Sequence, residues 1–102
     1  MSIRDVLKLS GLPVAYGTFR NMQKPPFIVY IGAGQDHVSA DNTVYDKTDL
    51  YQVEYYFAKK DEAKELEIEA LLLKNGYRYN KSMDSYIESE ELYVIYYTTW
   101  RI

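Results

Sequence analysis

Few side chains in this sequence are of a type that does chemistry. His37 is the only histidine, and it stands in a polar segment with Asp36 and Asp41. One imidazole and two carboxylates can bind a metal ion or move a proton, but their spacing matches no metal-ligand pattern. We therefore expect a solvated loop at His37 and no bound metal.

Two glycines that follow an apolar run could cradle a phosphate. Gly32-Ala33-Gly34 comes directly after Phe27-Ile28-Val29-Tyr30-Ile31. A dinucleotide-binding turn needs a third glycine and a helix directly after it, whereas a polar segment follows here. These glycines therefore predict the end of a strand, and we expect no nucleotide cofactor.

The acidic and nucleophilic residues also have simple structural explanations. The carboxylates form two groups: Glu62, Glu65 and Glu69 in one, and Glu88, Glu90 and Glu91 in the other. The first group has helical spacing, which is typical of a solvated helix face. The serines lack the glycines of a nucleophile elbow, and the chain has no cysteine for thiolate catalysis. We expect no enzyme and no cofactor.

Composition indicates one small domain that does not grip nucleic acid. The 102 residues are close to the usual size of a single domain, so one domain over residues 1–102 is predicted. A net charge of -3 argues against binding DNA through phosphates, and Lys24 and Lys59-Lys60 are isolated, solubilising cations. No stretch approaches the roughly 20 apolar residues of a membrane-spanning helix. With no signal peptide at the start, a cytosolic product is expected.

Hydrophobic periodicity predicts the elements that position these side chains. Helices are predicted over residues 2–9 and 61–75, and strands over 27–31, 49–58, 77–81, 86–88 and 91–101. Residues 14–24 are predicted as a connector with a short extended piece at 14–16. Residues 35–46 are predicted as a polar, turn-rich loop with a short strand near 43–45. The fold class is α+β: a mostly antiparallel four- to five-stranded sheet with two helices packed on one face.

The second helix and the last strand show which faces are apolar. In the helix, the apolar stripe is predicted to comprise Ala63, Leu66, Ala70, Leu71 and Leu73. In the last strand, Tyr93, Ile95, Tyr97 and Thr99 share one face, and Leu92, Val94, Tyr96 and Trp100 share the other. A strand with one solvated face alternates more cleanly than this.

A size argument predicts a partner. Four strands make a sheet about 15–20 Å wide, and a helix is about 10 Å across, so two helices cover one sheet face only. We expect another subunit to bury part of the second face. The alternative is a monomer in which the hydroxyl groups of the twelve tyrosines keep that face hydrated.

Long segments of the chain resemble a family of bacteriophage proteins. The segments are LPVAYGTFRNMQKPPFIVYIGAG, DNTVYDKTDLYQVEYYFAKKDEAKELEIEALLLKNGYRYNKS and SYIESEELYVIYYTTW, which together span nearly the whole chain. They are similar to the small tail-completion proteins of long-tailed phages and prophages, a group that includes tail terminators, head–tail joining proteins and minor capsid proteins.

The resemblance implies a structural part of the virion neck or tail, made in the bacterial cytoplasm. Such a subunit forms a ring, often a hexamer, that binds copies of itself, tail-tube proteins and head-connector proteins, while DNA passes through as cargo. No membrane is involved. We expect subunit contacts at Gln35, His37, Asp41, Asn42, Lys47, Tyr93, Tyr96 and Trp100. The alternative is a prophage-encoded dimeric regulator that binds a host protein through its tyrosine-rich face.

Overall fold

The computed structural model describes residues 1–40 and 43–101, which form two helices and one six-stranded sheet. The elements are α1 (Ile3–Lys8), β1 (Val14–Tyr16), β2 (Phe27–Ala40), β3 (Thr43–Phe57), α2 (Glu62–Lys74), β4 (Tyr77–Lys81), β5 (Ser85–Ile87) and β6 (Leu92–Arg101). The predicted α+β class is confirmed. The sheet has six strands rather than four or five because the short strands β1 and β5 both pair into it.

The strand order is β1-β2-β3-β6-β4, and β5 also pairs with β6. Only β1 and β2 run parallel among the described strands; the other pairs are antiparallel, as predicted. β3 pairs with one edge of β6, and β4 and β5 both pair with its other edge. β5 pairs with the start of β6 and β4 with its end.

Side-chain caps begin both helices, at the first residue of each predicted helical range. The Ser2 hydroxyl accepts a hydrogen bond from the Asp5 amide at 3.2 Å, and the Asp61 carboxylate accepts one from the Lys64 amide at 3.1 Å. Gly76 follows α2 with φ of 86°, the left-handed conformation that ends a helix and favours glycine.

Both helices pack on the same face of the sheet, as predicted. The core is one cluster, to which α1, α2 and alternate residues of the strands contribute: Ile3, Val6, Leu7, Ile28, Tyr30, Val53, Tyr55, Phe57, Ile68, Leu72, Tyr77, Ile95 and Tyr97. The predicted face assignment of β6 is confirmed, since Ile95 and Tyr97 lie in this core, together with Val53, Tyr55 and Phe57 of β3.

The predicted apolar stripe of α2 is largely wrong. The buried residues of α2 are Glu65, Ile68, Glu69 and Leu72, whereas Leu66 and Leu73 are exposed, as are Ala63 and Ala70. Leu71 alone of the predicted set packs against the core, where it is partly buried. The pattern misleads because two of the inward positions are glutamates whose charges are paired beneath the helix.

The predicted loop over residues 35–46 is also wrong for the described residues. β2 continues to Ala40 and β3 begins at Thr43, with Gln35 paired to Asp49 and Ala40 to Thr43. The short strand predicted near 43–45 is therefore the start of β3. Residues 35–40 and 43–49 form a two-stranded ribbon, here named the hairpin arm. The sequence of this segment is polar and turn-rich, and periodicity therefore predicts a loop there.

The glycines at 32 and 34 do not end β2 as predicted. The strand runs through them, and its register with β3 shifts between Gly32 and Gln35. Gly34 has φ of 96°, which favours glycine at this irregularity. Beyond this point neither β1 nor β6 pairs with the described part of the arm, because their pairing covers only residues 28–30 and 50–57.

Truncating the two neighbouring leucines of α2 tests its observed orientation. Leu72 is 0% exposed and Leu73 is 50% exposed. We expect Leu72→Ala to lower the free energy of unfolding by about 2–5 kcal/mol, because it leaves a cavity in the core. Leu73→Ala, the matched control, should change it by less than about 1 kcal/mol. Urea unfolding measures both, and the reverse order would contradict the observed helix face.

Candidate functional site

A cluster of charged groups lies between α2 and the sheet. The Glu65 side chain is 3% exposed, and Lys60 Nζ lies 2.7 Å from its Oε2 atom. Lys81 Nζ, from β4, lies 3.0 Å from Glu65 Oε1 and 2.8 Å from Glu69 Oε2. Lys60 Nζ also lies 2.9 Å from Asp84 Oδ2. Each buried carboxylate is thus neutralised by at least one ammonium group. We name these residues, with the tyrosines described next, the α2 clamp.

Two tyrosine hydroxyls complete the hydrogen bonding of Glu69. Tyr97, fully buried on β6, donates to Glu69 Oε2 at 2.7 Å, and Tyr79 of β4 donates to Oε1 at 3.2 Å. Burial of a carboxylate costs little when its oxygens accept such bonds. The clamp therefore joins α2 to β4 and β6 by directional contacts.

The pKa values in the α2 clamp are shifted away from neutrality. Burial raises the pKa of Glu69, but hydrogen bonds from Lys81 and Tyr97 and the charge of Lys81 outweigh it, so the net pKa is lowered. Burial lowers the pKa of Lys81, but its pairing with Glu69 and Glu65 raises it overall. Burial and the hydrogen bond to Glu69 raise the pKa of Tyr97. General acid–base catalysis works best with a pKa near the operating pH, so this arrangement favours a structural role.

The sequence interpretation of these residues is therefore corrected. Glu65 and Glu69 are not on a solvated helix face, and Lys60 is an ion-pair partner rather than a solubilising cation. A signal for this exists in the sequence: the two glutamates share a helix face with Ile68 and Leu72 at i,i+3 and i,i+4 spacing. Among residues 1–40 and 43–101, no group of three or more His, Asp and Glu side chains could hold a metal ion.

The sheet face opposite the helices, here named the open face, carries half-buried aromatic and polar side chains. Register places Val29, Glu54 and Tyr96 side by side across three strands. The other members follow from the same alternation: Phe27, Ile31, Leu50, Gln52, Tyr56, Arg78, Asn80, Leu92, Val94, Thr98 and Trp100. Val29 and Val94 are buried at 6% and 0% exposure, beneath larger neighbours that are only half-buried.

One carboxylate is embedded in the centre of the open face. Glu54 accepts hydrogen bonds from Gln52 Nε2 at 3.0 Å and from the Tyr56 hydroxyl at 2.7 Å. Burial and the bond to Glu54 raise the pKa of Tyr56, so its hydroxyl remains a donor at neutral pH. The face therefore presents apolar rings with satisfied polar groups between them, a composition typical of protein interfaces.

A groove of about 880 Å³ opens at one end of this face. Residues 17–23 and Pro25 form one wall, residues 88–91 form the other, and Phe27, Val29 and Tyr56 line its floor. Phe19 packs edge-on against Phe27 with ring centroids 5.5 Å apart, and Phe27 stacks on Tyr56 at 5.0 Å. The floor is thus an aromatic surface between two loops.

The wall over residues 88–91 includes a residue in an unfavourable backbone conformation. Glu91 has φ of 54° in the turn that joins β5 to β6, a region that glycine or asparagine occupies more readily. Glu88, Glu90 and Glu91 are all exposed there. The turn therefore presents three carboxylates above the groove.

The predicted contact residues fall in separate places. Tyr96 and Trp100 lie together on the open face, but Tyr93 lies on the helix side, where its ring stacks on Phe57 at 5.5 Å. Gln35 Nε2 donates to Asp49 Oδ1 at 2.7 Å at the base of the hairpin arm. His37 and Lys47 are paired positions within the arm. Asp41 and Asn42 lie outside the described residues.

The groove is the feature that sequence analysis missed. Its walls are far apart in the chain and meet only because β6 lies beside β3 and β3 beside β2.

No family model matches the chain, and no curated protein matches it. Neither α1 nor α2, the helices of the described residues, is long and apolar enough to cross a membrane.

Stability should fall at both extremes of pH because of the α2 clamp. The folded pKa of Glu69 lies below its ordinary 4.5, so the stability that it contributes above pH 4.5 is lost as pH falls through the folded pKa. The pKa of Tyr97 is raised from 10.0, so its contribution is complete below pH 10.0 and is lost as pH rises through the folded pKa. Urea unfolding between about pH 2 and pH 12 measures both effects.

Two amide variants separate the clamp from general charge effects. Glu69→Gln should lower the free energy of unfolding at pH 7 by about 1–3 kcal/mol and weaken the acid dependence. Glu67→Gln, on the exposed side of α2, should do neither, because its pair with Lys64 is at the surface. Identical pH profiles for the wild type and Glu69→Gln would contradict the clamp.

The backbone conformation at Glu91 predicts a stabilising substitution. Glu91→Gly should raise the free energy of unfolding by up to about 1 kcal/mol, since glycine adopts positive φ without a Cβ clash. Glu90→Gly, one residue away and without a positive φ, should give no gain. Thermal unfolding of both variants measures the difference, and equal effects would count against strain at Glu91.

Proposed function

We propose that this chain is a phage or prophage structural protein, a tail-terminator or head–tail joining ring subunit that binds copies of itself and neighbouring virion proteins. The observation that carries the proposal is the open face, where aromatic side chains such as Tyr96 and Trp100 are only half-buried in the single chain. The sequence resemblance to tail-completion proteins supplies the type of assembly.

The open face has the chemistry of a subunit contact. Both helices are used on the opposite face, and no described element forms a layer over the strands between Glu54 and Trp100. Large apolar patches rimmed by polar groups mark interaction sites on soluble domains. Tyrosine and tryptophan are enriched at such sites because each joins a large ring to a polar tip. A second copy that covers this face would bury these rings.

The hairpin arm supports assembly in a different way. An isolated two-stranded ribbon is marginally stable in water, and in the described chain this one extends past the strands that flank it. Contacts with a neighbouring subunit would stabilise it. We propose that His37 and Lys47, which pair in the arm, lie in such a contact region.

The chemistry of the described residues suits a structural part. The buried charges form a closed set of ion pairs and hydrogen bonds in the α2 clamp. The net charge of -3 suits a ring whose lumen lets DNA pass as cargo, because a strongly basic lining would retain it.

A substitution on the open face tests the ring. Purified wild-type protein should form rings of uniform copy number, seen by negative-stain electron microscopy and by light scattering coupled to chromatography. Trp100→Glu should weaken this association at least about tenfold, because tryptophans in interfaces often carry much of the binding energy. Tyr86→Glu, the matched control, changes an exposed aromatic residue on the helix side and should leave rings intact.

Two results would count against this function. A ring subunit would be contradicted if the protein stays monomeric at high concentration and does not bind tail-tube or connector proteins. A stable dimer that captures a bacterial host protein through the open face would favour the regulator instead.

A further inference from the structure

Two patches of opposite charge lie near opposite ends of β6. The acidic patch is the groove next to Leu92, where the carboxylates of Glu88, Glu90 and Glu91 stand above an aromatic floor. Arg20 also lines this groove. Three carboxylates against one guanidinium give its lining a net negative charge.

The basic patch lies at the other end of the strand. Arg78 is paired in register with Trp100, and both line a shallow depression with Leu73. Lys74 follows Leu73 in the last turn of α2 and is exposed. None of the described residues that line the depression is acidic. Arg78 therefore places one cation beside half-buried and exposed apolar surface, and Lys74, the residue after Leu73, is a second exposed cation at the same end of the sheet.

The separation of the patches excludes contact within one copy. Leu92 and Trp100 are eight positions apart on β6, which corresponds to about 27 Å at the rise of an antiparallel strand. The two patches lie near opposite ends of a rigid sheet. The patches therefore do not neutralise each other within one copy, whereas a second copy presents both of them.

We infer that the acidic patch of one copy binds the basic patch of the next copy, head to tail. This inference rests on the proposed function, since it names the surfaces by which copies would join. Trp100 and Leu73 of one copy would pack toward the floor formed by Phe27 and Tyr56 of its neighbour. The cations at Lys74 and Arg78 would lie among the carboxylates of the turn.

Two physical arguments favour this pairing. A contact between two different patches is heterologous, so its repetition closes a ring when the rotation permits. Complementary charge also selects the docking orientation and disfavours like-to-like contacts. The unfavourable conformation of Glu91 is consistent with it, because functional sites often retain backbone conformations that cost stability.

Charge reversal of each patch tests the pairing. Glu88→Lys/Glu90→Lys makes the acidic patch basic, and Lys74→Glu/Arg78→Glu makes the basic patch acidic. Each double variant alone should associate at least tenfold more weakly than the wild type in analytical ultracentrifugation. An equimolar mixture should associate again, because the remaining acidic patches then face basic ones.

Two controls separate the pairing from misfolding and from net charge. Asp5→Lys/Glu67→Lys makes the same charge change as Glu88→Lys/Glu90→Lys, but on the helix layer, and should associate as the wild type does. Thermal unfolding checks that each variant is folded. If a variant is unfolded, the salt dependence of association of the wild-type protein tests the pairing instead. Raising salt from about 0.1 M to about 1 M shortens the screening length from about 10 Å to about 3 Å and should weaken the association.

The outcomes distinguish this inference from the proposed function. If both double variants still form rings and salt does not weaken the association, the pairing is overturned but the proposed ring function is not. A wild-type chain that never self-associates would overturn both. The pairing would also be overturned if each double variant associates weakly alone and their equimolar mixture stays dissociated, since the complementary charges in the mixture would then fail to attract.

Discussion

Both helices lie on the same side of a six-stranded sheet, and no element of residues 1–40 and 43–101 forms a layer over the other side. A sheet of this width needs two layers of helices, or a second sheet, to bury both faces. The uncovered face carries both apolar and polar side chains. Val29 and Val94 are buried beneath larger side chains, and Glu54 accepts hydrogen bonds from its neighbours. The result is a surface suited to both water and a partner.

The α2 clamp explains how so small a helix layer holds its position. Lys81 reaches from β4 to both Glu65 and Glu69, and Tyr97 of β6 bonds to Glu69 from beneath. Apolar packing alone would tolerate sliding or rotation of α2, whereas these contacts have fixed directions. Breaking one partner of such a buried pair is costly, so the clamp defines a single helix orientation.

The sequence predicts both helices, most of the strands and the two faces of β6, because periodicity is a local signal. Prediction fails where distant partners decide the outcome. Lys60 pairs with Glu65 from the segment before α2, and Lys81 pairs with both glutamates from β4, so neither partner is visible in the periodicity of the helix. The hairpin arm resembles a loop in sequence because its residues are polar and turn-rich, although its strands pair in register. The groove depends on strand order, which periodicity does not encode.

The fluorescence of Trp100, the only tryptophan of the chain, reports directly on whether the open face is covered by another copy. The account predicts that, as protein concentration rises, its emission moves to shorter wavelengths and acrylamide quenches it less, in step with the mass from light scattering. An increase in mass with unchanged emission and quenching would mean that copies associate through another surface, which would contradict the central claim.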